Sequence, residues 1–307
     1  MTMTRLTNAS YVKIGLLVIL AFVLCGGIVS CSVRCTPSFQ MPASFYNDVD
    51  VDAHETGASS VAGADVHNIA IAWAAGSATI TVCDDAETGG QIVFAETGSG
   101  VRNLPLRWGC ENGTLCIQYT SERNLMGCST HGSKHLDVKV PRSVAQTLGF
   151  FELDVASGDY ALEGLACDKM AFAVASGTVE GADLSAGELR LDVASGQLAL
   201  VGDFPETVNA NMGSGNTSIS TAHCPQRVDV DMASGMMTFA LPSTCAFEVD
   251  YDALSGKVDS SFPVRGGSAM GSSPSVGGSA VYGDANVEVT GHFDVDMASG
   301  MLVFRTL

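Results

Sequence analysis

Short runs of alternating apolar and polar residues recur along this chain, and many of them end in the same Ser-Gly corner. In one run Leu153 and Val155 are apolar, the residue between them is charged, and the chain continues Ala-Ser to Gly158. Alternation with a period of two is the pattern of a β-strand with one buried face. After the glycine, Tyr160 and Leu162 resume the alternation. One repeat is therefore predicted to be strand, tight corner, strand and return loop.

The corner recurs at a nearly constant interval. Successive corner glycines are 19, 19, 19, 20, 21 and 44 residues apart. A period near 20 residues is typical of a solenoid, whose coils bury their apolar faces against one another. We therefore predict an all-β fold, a single-stranded superhelix or β-solenoid with coils of about 20 residues. Because glycine tolerates a positive φ, we expect one at every corner glycine: Gly158, Gly177, Gly196, Gly215, Gly235, Gly256 and Gly300.

The first half of the chain shows the same alternation less regularly. Residues 69–82 alternate, turn at Gly76 and alternate again, and Asn112-Gly113 between two apolar runs is a strong hairpin signal. We predict an N-terminal β region over residues 48–141 and the regular Ser-Gly solenoid over residues 142–307. A Gly/Ser-rich loop at 265–280 is expected to interrupt the solenoid.

An uncharged apolar segment, residues 14–33, precedes these regions. Its length suits a transmembrane helix, with a short cytosolic tail at residues 1–13 and a linker at residues 34–47. A lipoprotein signal is the alternative, since the sequence ending at Cys31 resembles a lipobox in which that cysteine is lipidated. A fully secreted form is the third interpretation. All three place the function outside the cytosol. In the first two the C-terminal domain is extracellular and is held at a bacterial membrane by a single-pass helix or a lipid anchor.

The charge of the chain limits the classes of partner that it can bind. The formal net charge is −18 and the pI is about 4.4, which argues against nucleic acid and against electrostatic docking to anionic lipid. Three pairs of aspartates are expected to project from one strand face of successive coils. This stripe is a weak candidate for Ca²⁺, which prefers several oxygen ligands, and a solvated outer face is the alternative. Its members are Asp229, Asp231, Asp250, Asp252, Asp294 and Asp296.

The chain has ten cysteines. Cys224 and Cys245 follow their corner glycines at similar distances, so they are expected on adjacent coils, near the separation of a disulfide. Two buried free thiols are the alternative. Cys128, His131 and His135 form a Cys/His cluster that would be a minimal zinc site, although the segment also resembles a plain loop.

Nothing in the sequence indicates a catalytic site. The corner serines are equivalent by position, and seven equivalent serines cannot each have a general base of their own. Neither a phosphate-binding loop motif nor a nucleophile elbow is present. We therefore predict no enzyme activity and no cofactor beyond the calcium candidate. The corner serines are Ser157, Ser176, Ser195, Ser214, Ser234, Ser255 and Ser299.

The order of these motifs resembles the bacterial "putative adhesin" β-strand-repeat family of cell-envelope proteins. Residues 69–80 resemble the opening strand-turn-strand unit, Leu136–Pro141 matches a Leu-x-Val-x-Val-Pro segment, and the Val-x-Ser-Gly coils follow. The resemblance implies a surface-located β-solenoid without established catalytic residues. It also implies that some relatives belong to envelope-stress systems that sense antimicrobial peptides.

The functional expectation is a non-enzymatic, membrane-anchored surface protein that acts in adhesin-like binding or as an envelope scaffold. Its expected partner is an envelope component, a host surface or another protein. The alternative is the ectodomain of an envelope stress-sensing system. A polysaccharide-active enzyme is a third interpretation, because fold alone does not determine function.

Overall fold

The structure is a computed structural model that describes residues 55–119, 134–267 and 277–307. Cys31, Cys128, His131 and all of residues 1–47 lie outside these ranges, so the predictions made for them remain predictions. No helix in the described ranges has the length and apolar character needed to cross a membrane.

Strands account for most of the described chain. The first eight are β1 (Glu55–Thr56), β2 (Ser59–Ala62), β3 (Asn68–Trp73), β4 (Ser77–Cys83), β5 (Gln91–Gly98), β6 (Arg107–Glu111), β7 (Thr114–Gln118) and β8 (Lys134–Pro141). The next eight are β9 (Leu148–Val155), β10 (Asp159–Glu163), β11 (Ala166–Val174), β12 (Thr178–Val193), β13 (Gln197–Asp203), β14 (Thr207–Met212), β15 (Asn216–Thr221) and β16 (Arg227–Met232). The last seven are β17 (Met236–Leu241), β18 (Phe247–Ala253), β19 (Lys257–Ser260), β20 (Val264–Gly267), β21 (Gly278–Tyr282), β22 (Gly291–Met297) and β23 (Met301–Thr306). Two short helices, α1 (Asp85–Thr88) and α2 (Arg142–Ala145), and a 3-10 turn at Gly63–Asp65 connect strands.

Parallel pairing joins these strands into two ladders. The first ladder runs β7, β3, β9, β11, the second half of β12, β14, β16, β22 and β18. The second ladder runs β8, β4, β10, the first half of β12, β13, β15, β17, β23 and β19. The chain crosses from the first ladder to the second at each Ser-Gly corner. The predicted all-β solenoid is therefore confirmed.

The core lies between the two ladders. Alternate side chains of each strand point inward, as Leu191 and Val193 do from β12 and as Leu198 and Leu200 do from β13, and all four are buried. Each such side chain contributes about 1.5–3 kcal/mol by leaving water. Towards the C-terminal end the core becomes aromatic, and the Phe247 and Phe304 ring centroids lie 4.8 Å apart.

The corner glycines stack in a column along the solenoid. Gly215 has a φ of +108°, and a Cβ added there would collide with the carbonyl oxygen of Gly196 in the neighbouring coil. The predicted positive φ is wrong at Gly196 and Gly256, which lie outside that region. At Gly196 close approach is what requires glycine, since an added Cβ would lie 2.7 Å from Val174 Cγ1.

The corner serines form the predicted column, and their contacts are structural. Ser176 Oγ donates a hydrogen bond to the Ala156 carbonyl at 2.9 Å, and Ser299 Oγ donates one to the Ala233 carbonyl at 3.2 Å. Six of the seven corner serines, all except Ser255, thus bond the backbone of a neighbouring coil through their hydroxyl groups.

The coils at the C-terminal end do not follow chain order. β22 pairs with β16 on one side and with β18 on the other, while β23 lies between β17 and β19. The last coil is therefore inserted between two earlier ones. The expectation that the coils carrying Cys224 and Cys245 are adjacent is wrong for this reason.

A hairpin explains how the chain returns for this insertion. β20 and β21 pair antiparallel, and β21 covers the edge of β18. Part of the predicted loop at 265–280 is thus strand, while residues 268–276 lie outside the described chain. Arg265 bonds the carbonyls of Gly283 and Val287 at 3.0 and 2.6 Å, which holds the segment that leads into β22.

Candidate functional site: the acidic face of the first ladder

The outward side of the first ladder carries two rows of mostly polar side chains, which together we call the acidic face. One row, in spatial order, is Glu152, Ala171, Arg190, Asn209, Asp229, Asp294 and Asp250. The other is Asp154, Ala173, Asp192, Asn211, Asp231, Asp296 and Asp252. Neighbouring strands lie about 4.8 Å apart, so each row is a closely spaced line of side chains.

The six predicted aspartates occupy the last three strands of this face, and we call them the aspartate array. Asp294 of β22 lies directly between Asp229 and Asp250, and Asp296 lies between Asp231 and Asp252. The predicted single face is confirmed, but its strand order is β16, β22, β18. Like charges directly opposite each other on neighbouring strands are destabilising, so the array concentrates unfavourable electrostatic energy on an exposed surface.

Three basic side chains lie in or beside these rows. Arg227 donates hydrogen bonds to both carboxylate oxygens of Asp229, at 3.0 and 3.1 Å. Arg190 bonds Asp192 at 2.9 Å. The ring of His292 lies 3.8 Å from a carboxylate oxygen of Asp250 and the same distance from one of Glu248. Because Arg227 and His292 are the basic residues of three strands that carry seven carboxylates, negative charge remains in excess there.

The opposite end of the acidic face is buried. Glu152 is only 3% exposed, and its Oε2 has no hydrogen-bond partner among the described residues. Burial raises the pKa of Glu152 to about 7, with further contributions from the charges of Asp154 and Asp192, while Arg190 acts in the opposite direction. Burial also raises the pKa of Asp154. These two carboxyl groups therefore lie away from the solvated aspartate array, and they differ from it in being shielded from water.

The described residues, 55–119, 134–267 and 277–307, do not have the geometry of a metal centre. Within them, no three or more His, Cys, Asp or Glu side chains are grouped so as to hold an ion, and this includes the aspartate array. Calcium binding remains a prediction. His135, the described member of the proposed zinc cluster, places its Nδ1 2.8 Å from Ser77 Oγ.

A buried lysine, which no sequence pattern indicated, lies at the N-terminal end of the core. Lys134 is fully buried, and its Nζ donates hydrogen bonds of 2.6 Å to the Leu104 and Tyr119 carbonyls and forms a 2.6 Å ion pair with Glu96. The ammonium also lies 4.8 Å from the Trp73 ring centroid. Since all donors are used internally, this group closes the end of the core and is unsuited to catalysis.

Comparison with solved structures finds distant likenesses. Three solved structures are similar over most of this chain. They are a "putative adhesin" from Bacteroides fragilis NCTC 9343 (13% identity, 81% of this chain and 97% of that chain, TM-score 0.42), a "putative cell adhesion protein" from Clostridium sporogenes ATCC 15579 (9% identity, 82% and 100%, TM-score 0.37) and a "putative lipid binding protein" from Parabacteroides distasonis ATCC 8503 (12% identity, 82% and 97%, TM-score 0.37). At these values the neighbours carry no argument about what this chain binds.

No curated protein has a matching sequence. The sequence profile of the Toastrack DUF4097 family, in contrast, matches residues 111–290, which is more than half of the chain. This match is consistent with the resemblance to adhesin-like β-strand-repeat proteins. The chain therefore belongs to the Toastrack DUF4097 family.

Proposed function

We propose that this chain is a non-enzymatic binding protein of the bacterial cell surface that uses its acidic face as the contact surface. The aspartate array supports this proposal, since its six carboxylates lie in register on the outward side of three neighbouring strands. A solenoid suits this role because stacked coils make an extended and rigid face. Residues 14–33 would hold the domain at the membrane, either as a helix or through a lipid on Cys31.

The charge of the array defines the class of partner. Carboxylates that face each other across adjacent strands repel, and a positively charged partner relieves that repulsion when it binds. Complementary charge also speeds the encounter, and its effect falls as salt screens it. The partner is therefore expected to be a cationic component of an envelope or of a foreign cell surface.

The chemistry of the site favours binding over catalysis. The hydroxyls of six of the seven corner serines bond neighbouring coils, and Lys134 is fully engaged in the core. Glu152 has a pKa of about 7, but it is buried beside alanines on both neighbouring strands. A general acid or base must reach the group that it protonates or deprotonates, and this carboxyl has no such access.

The test measures retention of residues 36–307 on whole envelopes of the same organism and on foreign cells. One variant neutralises the array by Asp250→Asn, Asp252→Asn and Asp294→Asn. The matched control makes the same change in charge on the outer side of the second ladder, where three exposed carboxylates lie on β10 and β12. It carries the substitutions Asp159→Asn, Glu163→Gln and Glu180→Gln.

We expect the wild type and the control to be retained, and the array variant to lose at least tenfold in retention. Preference for self envelopes would indicate a scaffold, and preference for foreign surfaces would indicate adhesion. Equal retention of all three proteins would refute the acidic face as the contact surface. Absence of retention on any surface would refute the binding function and favour output through a partner protein, as in a stress sensor.

A further inference from the structure

The entry point of the inserted last coil is tightly packed between two earlier coils. Gly291, the first residue of β22, pairs with Phe247 of β18, and the next residue pairs with Arg227 of β16. A Cβ added at Gly291 would lie 3.0 Å from Cys224 Sγ, 3.0 Å from Phe247 Cβ and 2.9 Å from the Pro225 carbonyl oxygen. Only glycine fits at this position without displacing its neighbours.

Two cysteines flank this entry point. Cys224 lies three residues before β16, and Cys245 lies two residues before β18, so they belong to the coils on either side of the insertion. Cys224 Sγ nevertheless lies against Gly291, and Gly291 N donates a hydrogen bond of 3.4 Å to the carbonyl of Ala246, the residue after Cys245. The two thiols are close enough for each to shift the pKa of the other. Cys245 is 4% exposed and belongs to the apolar core, and Cys224 packs against that core. The side chains therefore meet at the edge of the inserted strand.

We propose that Cys224 and Cys245 form a disulfide that fastens the inserted coil between its two neighbours. The bond would tie the return loop before β16 to the return loop before β18, beside Gly291. The disulfide would keep the coil that contains β18 from separating from β22 at the end where Gly291 lies, and so would preserve the order β16, β22, β18. This inference rests on the coil order and on the thiol contact, and is independent of the function proposed for the acidic face.

The chemistry balances with a disulfide as oxidant, either a small-molecule disulfide or a disulfide oxidoreductase. The Cys224 thiolate attacks the oxidant, forms a mixed disulfide and releases one thiolate of the oxidant. The Cys245 thiolate then attacks the Cys224 sulfur and releases the second. Two protons and two electrons leave the pair, and the oxidant becomes two thiols. A hydrogen bond from Cys245 lowers the pKa of Cys224, which favours Cys224 as the attacking group.

The other described cysteines lack this arrangement. Cys110 lies opposite Leu115 and Cys116 lies opposite Gly109, so the two cysteines project from opposite sides of the β6–β7 hairpin. Cys167 donates a hydrogen bond from its thiol to the Lys169 carbonyl at 3.1 Å. Cys167 is therefore a suitable control, since its thiol is half-buried and bonded to backbone.

Mass spectrometry of the full-length chain tests the bond directly. Folded protein is equilibrated with oxidised glutathione or with dithiothreitol, alkylated and digested with trypsin without reduction. Cleavage after Arg190, Arg227 and Lys257 places Cys224 in the peptide 191–227 and Cys245 in the peptide 228–257. Each peptide has one cysteine, so a linked pair of these two peptides reports the bond.

We expect the linked pair after oxidation and its loss after reduction. Closing a loop of about 20 residues should raise the Tm of the oxidised protein by about 5–10 °C, and should slow hydrogen exchange in β22. Cys224→Ser should abolish both the linked pair and the redox-dependent shift in Tm, while Cys167→Ser should retain them. Alkylation of both thiols in the oxidised folded wild type would overturn the proposal. A linked pair without any change in Tm or exchange would overturn the fastening role.

Discussion

Replacing Gly215 with alanine perturbs the glycine column at a position where both conformation and space require glycine. Its φ of +108° lies outside the small left-handed region that other residues tolerate. The added Cβ would also meet the carbonyl oxygen of Gly196, which accepts the hydrogen bond from Asn216 N at 3.1 Å. On the other side, Met236 N of the neighbouring coil donates a hydrogen bond of 3.0 Å to the Gly215 carbonyl. A shift of the corner therefore disturbs bonds to both neighbouring coils.

The cost of Gly215→Ala follows from these contacts. An unfavourable backbone conformation costs about 1–3 kcal/mol, overpacking costs about 1–3 kcal/mol, and each weakened hydrogen bond costs about 1 kcal/mol. We expect a loss of about 3–6 kcal/mol in the free energy of unfolding. For a domain of this size the Tm should fall by about 10 °C or more.

Denaturant and thermal unfolding of residues 36–307, followed by far-UV circular dichroism, measure this loss. Gly89→Ala is the matched control, because Gly89 has a φ of +64° and a Cβ there would meet nothing within 4 Å. It should cost only about 1 kcal/mol. Equal losses in the two variants would refute the stacked column of corners.

Four further predictions address the charged groups. Because burial raises the pKa of Glu152 from 4.5 to about 7, the folded state holds its proton more tightly, so this group's stabilising contribution is full below pH 4.5 and is lost as pH rises to about 7. Glu152→Gln should therefore raise stability at pH 8 by as much as about 3 kcal/mol, with little gain at pH 4, in unfolding experiments across pH. Lys134→Met should cost about 3–5 kcal/mol because it leaves Glu96 buried and unpaired, and adding Glu96→Gln should recover part of that loss, as a double-mutant cycle will show. Asp294→Asn should raise stability by about 0.5–1 kcal/mol at low salt and by less at high salt, because Asp294 lies between two other aspartates. If the aspartate array binds Ca²⁺, EDTA should lower the Tm in low-calcium buffer, and an unchanged Tm would contradict the calcium prediction.

The solenoid could be predicted from sequence because its signals are local. Alternation on either side of a Ser-Gly corner defines the two strands of a coil, and a fixed period predicts that equivalent positions stack. The hairpin signal at Asn112-Gly113 was also sufficient, since both residues adopt the positive φ that a type I′ turn needs, 50° and 78°. The aspartates were placed on one face by the same alternation.

The coil order could not be predicted, because β16 and β22 carry nearly the same phrase, Val-Asp-Met, and either could pair with the same neighbours. The features that accompany the inserted coil are the close packing at Gly291 and the segment held by Arg265, and neither leaves a periodic signal. Lys134 was missed for a similar reason. Its burial depends on Trp73 and Glu96, which are distant in the sequence.

The salt dependence of envelope binding by residues 36–307 tests most directly whether the acidic face is the contact surface. Affinity is measured over a range of ionic strength for the wild type, for the array variant (Asp250→Asn, Asp252→Asn and Asp294→Asn) and for the second-ladder control. We predict that binding weakens with salt for the wild type and the control, and that the array variant binds weakly with a shallower salt dependence. The same affinity and the same salt dependence in all three proteins would contradict it.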